Sequence, residues 1–309
     1  MSGLILIILT FFLPQSDTQL NSQTNSRPRI AIVDIQGDEG GRVVSLLEDV
    51  ARQFEAVDRD LSRRAARGAS YSGSLNLTAE EARSLGESIG CDYYMTGIVR
   101  NVRRLGSDGE AYFEAISGIY LIETWSGRLV RFEFVRERAE NETAAANSLV
   151  QAVSERASRL RDAIAYAHGQ RRAYALELPQ ESPLDVVNLD GQQSSGNLTA
   201  PIFYERLRPD YSAEAASIDL IATVEISAVF GVGGRVETSE VVRWAGFGLD
   251  ETALATVRRL RFKSATKDGK PVSVRGLVRY NFRRPPPQAE RDAEANKLKE
   301  SIRNTVRTP

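Results

Sequence analysis

Apolar positions along this chain change their period several times, and each change marks an element. Arg29 to Ile35 (RIAIVDI) is a short, β-branched apolar run, the pattern of a strand covered on both faces. Gly40 and Gly41 open a stretch in which Val43, Leu47, Val50 and Phe54 recur at helical spacing. Glu55 to Asp58 follows as a second short strand. A small helix from about Arg59 to Arg67 then leads into the Gly/Ser-rich loop Gly68 to Ser74. Thr78 with Glu81 three residues later is a capping box, which predicts a helix to about Ile89 closed by Gly90 in the left-handed region. Strands are predicted at Cys91–Val99, Ala111–Glu123 and Leu129–Arg136. A long helix follows from Glu142 to Ala167, with Leu149, Val153, Leu160 and Ile164 on one face. Residues 28–167 therefore read as one small αβ domain.

Periodicity is lost between Gly169 and Ala200, where Gln, Ser, Gly, Asn and Pro gather, so residues 168–200 read as a linker. It returns as strict alternation. Ile218, Leu220, Ala222, Val224 and Ile226 share one side of a strand; Asp219, Thr223 and Glu225 lie on the other. Gly231 to Gly234 is a turn, and Arg235 to Trp244 a returning strand. Leu249, Ala253, Leu254, Val257 and Leu260 form the stripe of a helix. The Lys267–Pro271 turn leads to a closing strand with Val272, Val274, Val278, Tyr280 and Phe282 on one face, and Ser273, Arg275, Arg279, Asn281 and Arg283 mostly on the other. Residues 201–284 thus form a ββαβ unit, followed by a polar tail at 285–309. The predicted fold class is α+β: an amino-terminal sandwich-like αβ domain, with a mixed sheet and helices, linked to a small ββαβ domain.

Leu4 to Leu13 (LILIILTFFL) is too short for a comfortable spanning helix but suits a signal-peptide core, so residues 1–16 are expected to be a signal peptide or short anchor. Membrane association through the amino terminus is part of that expectation. The chain's net charge is −1, which argues against a dedicated nucleic-acid binder. Charge is unevenly spread, with about −3 over residues 27–167 and about +4 over residues 201–284.

One cysteine, Cys91, and one histidine, His168, leave no His/Cys zinc set; they read as buried core and helix-end surface. Gly37-Asp38-Glu39-Gly40-Gly41 sits where a phosphate cradle would, but it lacks the Gly-Lys-Ser/Thr ending and carries two carboxylates, so it reads as a helix cap. Asp58 and Asp60 read as a solvated helix start, and Phe230-Gly231-Val232-Gly233-Gly234 as a hairpin turn. Neither enzyme activity nor a cofactor or metal is expected.

The run from Gly234 to Phe282 resembles the TonB C-terminal domain family. Gly234-Arg235-Val236, Leu249-Asp250, Arg261-Phe262, Asp268-Gly269-Lys270-Pro271-Val272 and Phe282 carry the likeness in order, preceded by Arg208-Pro209-Asp210-Tyr211. Ser212 and Ser264 stand where the family has proline. More weakly, Arg29–Asp34, Ala56–Arg59 and Ala82–Gly97 resemble the αβ amino-terminal domains of TolB and CsgG-type envelope proteins.

The resemblance implies a periplasmic or envelope location and an outer-membrane or periplasmic protein partner that adds a strand beside the closing strand. The residues it nominates are Val274, Arg275, Gly276, Leu277, Val278, Arg279 and Tyr280. The arginines at 275, 279 and 283 would deter unwanted edge pairing and steer an acidic partner. Two functions stay open: an exported adaptor with a part in TonB-dependent transport, and an assembly or scaffold protein that uses the TonB-like unit only to bind.

Overall fold

The structure is a computed structural model that describes residues 27–106, 109–176, 187–188 and 197–284. The apolar run at residues 4–13, expected to be a signal-peptide core, and the tail at 285–309 lie outside these residues. Among the described residues no helix is long and apolar enough to cross a membrane.

The first unit is built on a five-stranded sheet. In chain order its elements are β1 (Arg29–Gln36), α1 (Arg42–Ala51), β2 (Glu55–Ala56), α2 (Arg59–Gly68), α3 (Ala79–Ile89), β3 (Tyr93–Leu105), β4 (Ala111–Glu123), β5 (Leu129–Ala139) and α4 (Glu142–Leu176). The sheet order is β2-β1-β3-β4-β5. β1 runs parallel to β2 and β3, and β3, β4 and β5 are antiparallel, so the sheet is mixed.

β1 is covered on both faces, as its unbroken apolar run predicts. Ile30 and Ile32 pack under α1 and α4, while Ala31 and Val33 meet α2 and α3. The capping box of α3 forms as expected: Glu81 N donates to Thr78 Oγ1 at 3.1 Å, Thr78 N donates to Glu81 Oε2 at 2.7 Å, and Gly90 closes the helix at φ 75°.

Two expectations need correction here. The helix begun at Glu142 does not stop at Ala167 but runs on through Leu176, held where Arg171 reaches the foot of β3 and pairs with Asp92 at 2.9 Å. His168 is therefore inside a helix, not at its end. It is half-buried, with its ring centroid 6.3 Å from that of Tyr93.

The second unit contains β6 (Val187–Asn188), β7 (Leu198–Thr199), β8 (Ile202–Phe203), α5 (Ala213–Ser217), β9 (Ala222–Phe230), β10 (Val236–Arg243), α6 (Leu249–Arg258), β11 (Phe262–Lys263), β12 (Ala265–Lys267), β13 (Lys270–Val272) and β14 (Val274–Phe282). Its main sheet has the order β10-β9-β14-β6, with the apolar face of β9 and β14 packed against α6.

The alternation predicted from Ile218 starts only at Ala222. Ser212 Oγ accepts from Ala215 N at 3.1 Å and caps the short α5 instead, and Asp219 turns the chain at φ 53°. Ile221, expected within the strand, is 80% exposed. At the far end, Ser273 is buried between β13 and β14 and so falls outside the polar phase assigned to it.

The two units share a core. The face of the first sheet opposite α1 and α4 carries Ile116, Tyr120 and Ile122 with Phe132 and Phe134, and over β4 and β5 it is closed by the second unit. The segment Trp244-Ala245-Gly246-Phe247 lies on it, every residue buried. The Phe247 ring sits 4.9 Å from Phe132, 5.7 Å from Phe134 and 6.5 Å from Tyr120. Gly118 on β4 makes the seat, since a Cβ there would stand 2.6 Å from Phe247 Cζ. The Tyr120 hydroxyl, fully buried, donates to Ala245 O at 2.7 Å. Part of one apolar cluster belongs to both units.

Candidate functional site

β14 is paired along its whole length on one side only. Its antiparallel register with β9 runs from Val274↔Phe230 to Phe282↔Ala222. On the other side, Val274 and Arg275 pair in parallel with Val187 and Asn188 of β6, and among the described residues nothing pairs beyond that. Gly276 to Phe282 therefore offers a row of backbone donors and acceptors to an incoming strand.

The nominated residues divide between two faces. Val274 and Gly276 are buried toward α6, with Val278 and Tyr280 half-buried on that side; Arg275, Leu277 and Arg279 are exposed on the other. Val187 and Asn188 were hidden within a stretch whose composition reads as linker, and no local pattern marks them as a strand.

The arginines differ from one another. Glu225, placed by alternation on a polar face, is 6% exposed. Its carboxylate accepts from Arg279 Nε at 2.6 Å and pairs with Arg243 at 3.5 Å. Arg279 is thus paired with the strand it lies against, and it shares the Glu225 carboxylate with Arg243. Among the described residues Arg275 and Arg283 have no such pairing. The same observation changes the meaning of charge reversal at Arg279, which would set a second carboxylate against a buried one.

The edge is fixed in space by the first unit. Asn76, in the loop between α2 and α3, donates through Nδ2 to Thr223 O at 2.8 Å and Trp244 O at 2.6 Å, and its Oδ1 accepts from Thr223 N at 2.9 Å. Thr223 Oγ1 in turn reaches Asn281 Oδ1 on β14 at 2.9 Å. Thr78 forms a bridge with Arg243 and so covers the end of β10, the opposite edge of the same sheet.

Asp250, the acid of the Leu-Asp pair at the start of α6, accepts from Ala245 N at 2.8 Å and Gly246 N at 2.9 Å. It thereby holds the segment that carries Phe247. Burial pushes its carboxyl up from 3.8 to about 7, against the two backbone N–H groups, which favour the anion. The sign of the linkage follows. Between about pH 4 and pH 7 an unfolded chain has released this proton while the folded chain keeps it, so the group's stabilising contribution is full below pH 4 and falls as pH rises toward 7. Denaturant midpoints of wild type should therefore fall across that window relative to those of Asp250→Asn, with no further divergence above it. Parallel pH profiles would contradict this.

A cleft of about 430 Å³ beside Gly37–Gly40 lies at the amino end of α1. The donors there are taken by the chain's own acid, since Asp38 accepts from Arg42 N at 3.1 Å and Val44 N at 2.8 Å, which is the capping expected of that loop. Asp58 likewise caps α2 by accepting from Leu61 N at 2.8 Å. Cys91 is buried and its thiol is pushed up to about 12, mainly by desolvation, so it is unreactive core. Among the described residues no group of three or more His, Cys, Asp or Glu side chains is placed to hold a metal.

Residues 208–283 match the family described as Gram-negative bacterial TonB protein C-terminal. No curated protein matches the chain. Among solved structures, the TonB C-terminal domain of Pseudomonas aeruginosa is 15% identical, with 34% of this chain and 99% of that one covered at a TM-score of 0.26. Lipoprotein GNA1162 from Neisseria meningitidis is 11% identical, covering 43% of this chain and 99% of that one at 0.29. The hypothetical protein CT253 from Chlamydia trachomatis is 6% identical, covering 45% and 98% at 0.29. These structural likenesses are slight; the family match over the second unit, which contains β14, is the stronger one.

Proposed function

We propose that this protein is a cell-envelope protein whose TonB-like unit captures an extended segment of an outer-membrane or periplasmic protein along β14. The observation that carries this is the edge from Gly276 to Phe282, which is unpaired among the described residues and lies inside the stretch that matches the TonB C-terminal family. Main-chain hydrogen bonds would supply affinity, and Leu277 and Tyr280 would select side chains on the two faces of the added strand. Because Val187–Asn188 takes the first two positions, the partner pairs from Gly276 onward or displaces that segment.

Of the two functions open on sequence, the joint core favours the scaffold. The docking edge is attached to the first unit through buried packing and the Asn76 hydrogen bonds, not through a free tether, so a partner bound there is held at a set orientation to the first sheet. The division of the chain into these two units is part of this proposal.

The test is removal of a donor. Successive residues of a strand direct their N–H groups to opposite sides, so one of Gly276 and Leu277 donates outward. Gly276→Pro and Leu277→Pro should each be checked for fold, and the outward one should weaken partner capture at least about tenfold. Normal capture by both folded variants would exclude this edge and turn attention to β10.

A further inference from the structure

A second surface lies on different strands. β8 pairs antiparallel with β11, Phe203 opposite Phe262 and Ile202 opposite Lys263, and Tyr204 N continues the ladder by donating to Arg261 O at 3.1 Å. On the far side of β11, Arg235 forms a bridge with Arg261. Cross-strand partners share a face and neighbours along a strand alternate. Phe203 and Phe262 accordingly share the other face, where they and Phe230 lie within 5.3–5.6 Å of one another, with Phe262 buried and Phe203 41% exposed. Ile202, Tyr204, Arg235, Arg261 and Lys263 are left together on the outward face.

That face is costly as it stands. Ile202 is 56% and Tyr204 71% exposed, and Val232, on the adjoining hairpin turn, is 53% exposed. Arg235 stands directly opposite Arg261, an arrangement of like charges that destabilises a sheet. Among the described residues none of the three cations has an acidic partner; Arg261 donates only to the carbonyls of Arg259 and Leu260. Glu237, the acid next along that hairpin, lies against Gly231, the turn partner of Arg235, and is in no ion pair among the described residues. A solvated polar face explains the charges but not the two large side chains set among them.

We infer that this face docks on an anionic lipid surface. Three cations in two adjacent rows answer a layer of negative headgroups, and an isoleucine and a tyrosine between them reach the depth at which an apolar body and a polar tip are both accommodated. This surface is separate from the β14 edge and does not depend on the function proposed for it.

The experiment is co-sedimentation of the full chain with vesicles of phosphatidylcholine alone or mixed with phosphatidylglycerol. Comparing headgroups on one and the same chain cancels any contribution of the apolar run at residues 4–13. Wild type should prefer the anionic vesicles, and high salt should remove the preference. Arg235→Gln, Arg261→Gln and Lys263→Gln should each lower partition by about fivefold, whereas Arg64→Gln with Arg67→Gln on α2 should not. Ile202→Ser with Tyr204→Ser should weaken binding and leave its salt dependence unchanged. Equal partition of wild type and the triple glutamine variant, both folded, would overturn the inference. So would binding of soluble polyglutamate without binding of vesicles, which would assign the face to an acidic protein.

Discussion

Replacing Phe247 with alanine should lower the stability of the whole chain by about 3–5 kcal/mol, within a single unfolding transition. The ring is 1% exposed and fills the junction between Phe132, Phe134 and Tyr120, so its loss opens a cavity bounded by both units. The backbone adds to the cost of any alternative packing. Gly246, Phe247 and Gly248 are three successive left-handed residues at φ 70°, 52° and 74°, a conformation that a non-glycine residue holds only under constraint. Burial of the ring and the two N–H bonds to Asp250 supply that constraint, and alanine would keep the strain while losing the packing. The measurement is denaturant unfolding followed separately by near- and far-ultraviolet circular dichroism. Two transitions, with only one shifted, would mean that the units fold independently.

Asn76→Ala should cost about 2–3 kcal/mol, since it leaves Thr223 N, Thr223 O and Trp244 O without the partner that one side chain provides. Asn76→Asp is the sharper variant. It keeps the acceptor for Thr223 N but turns a carboxylate oxygen toward two carbonyls, so it should be at least as damaging despite its shape. If Asn76→Asp were neutral by thermal denaturation, these hydrogen bonds would not be what joins the loop to the sheet.

Much of this fold is legible in the sequence because its elements are locally self-consistent. β4 spans the residues predicted for it, Ala111–Glu123, and the start of α3 follows from Thr78 and Glu81. The closing strand and its exposed Arg275, Arg279 and Asn281 follow from period two.

What escapes is long-range. Phe247 lies between two periodic segments, flanked by glycines, and reads as turn; only the open apolar face of β4 and β5 makes it core. Asn76 reads as loop chemistry because its partners are far away in the chain. Glu225 sits in the polar phase of β9 and is buried only because Arg243 and Arg279 from both neighbouring strands close over it. The helix that continues through Gly169 is likewise held from outside, by Asp92. At the site itself, the resemblance nominates β14 as the edge, but not the short parallel strand that occupies its start.

The most direct test of the docking edge is site-specific photo-crosslinking in the native host cell, with the reactive side chain placed at Leu277 on β14 or at Thr238 on β10. Leu277 is 40% exposed beside the open edge, whereas Thr238 lies on the opposite edge of the same sheet. An envelope protein captured from position 277 and not from position 238 is the predicted result. Capture of that protein from position 238 alone would contradict it.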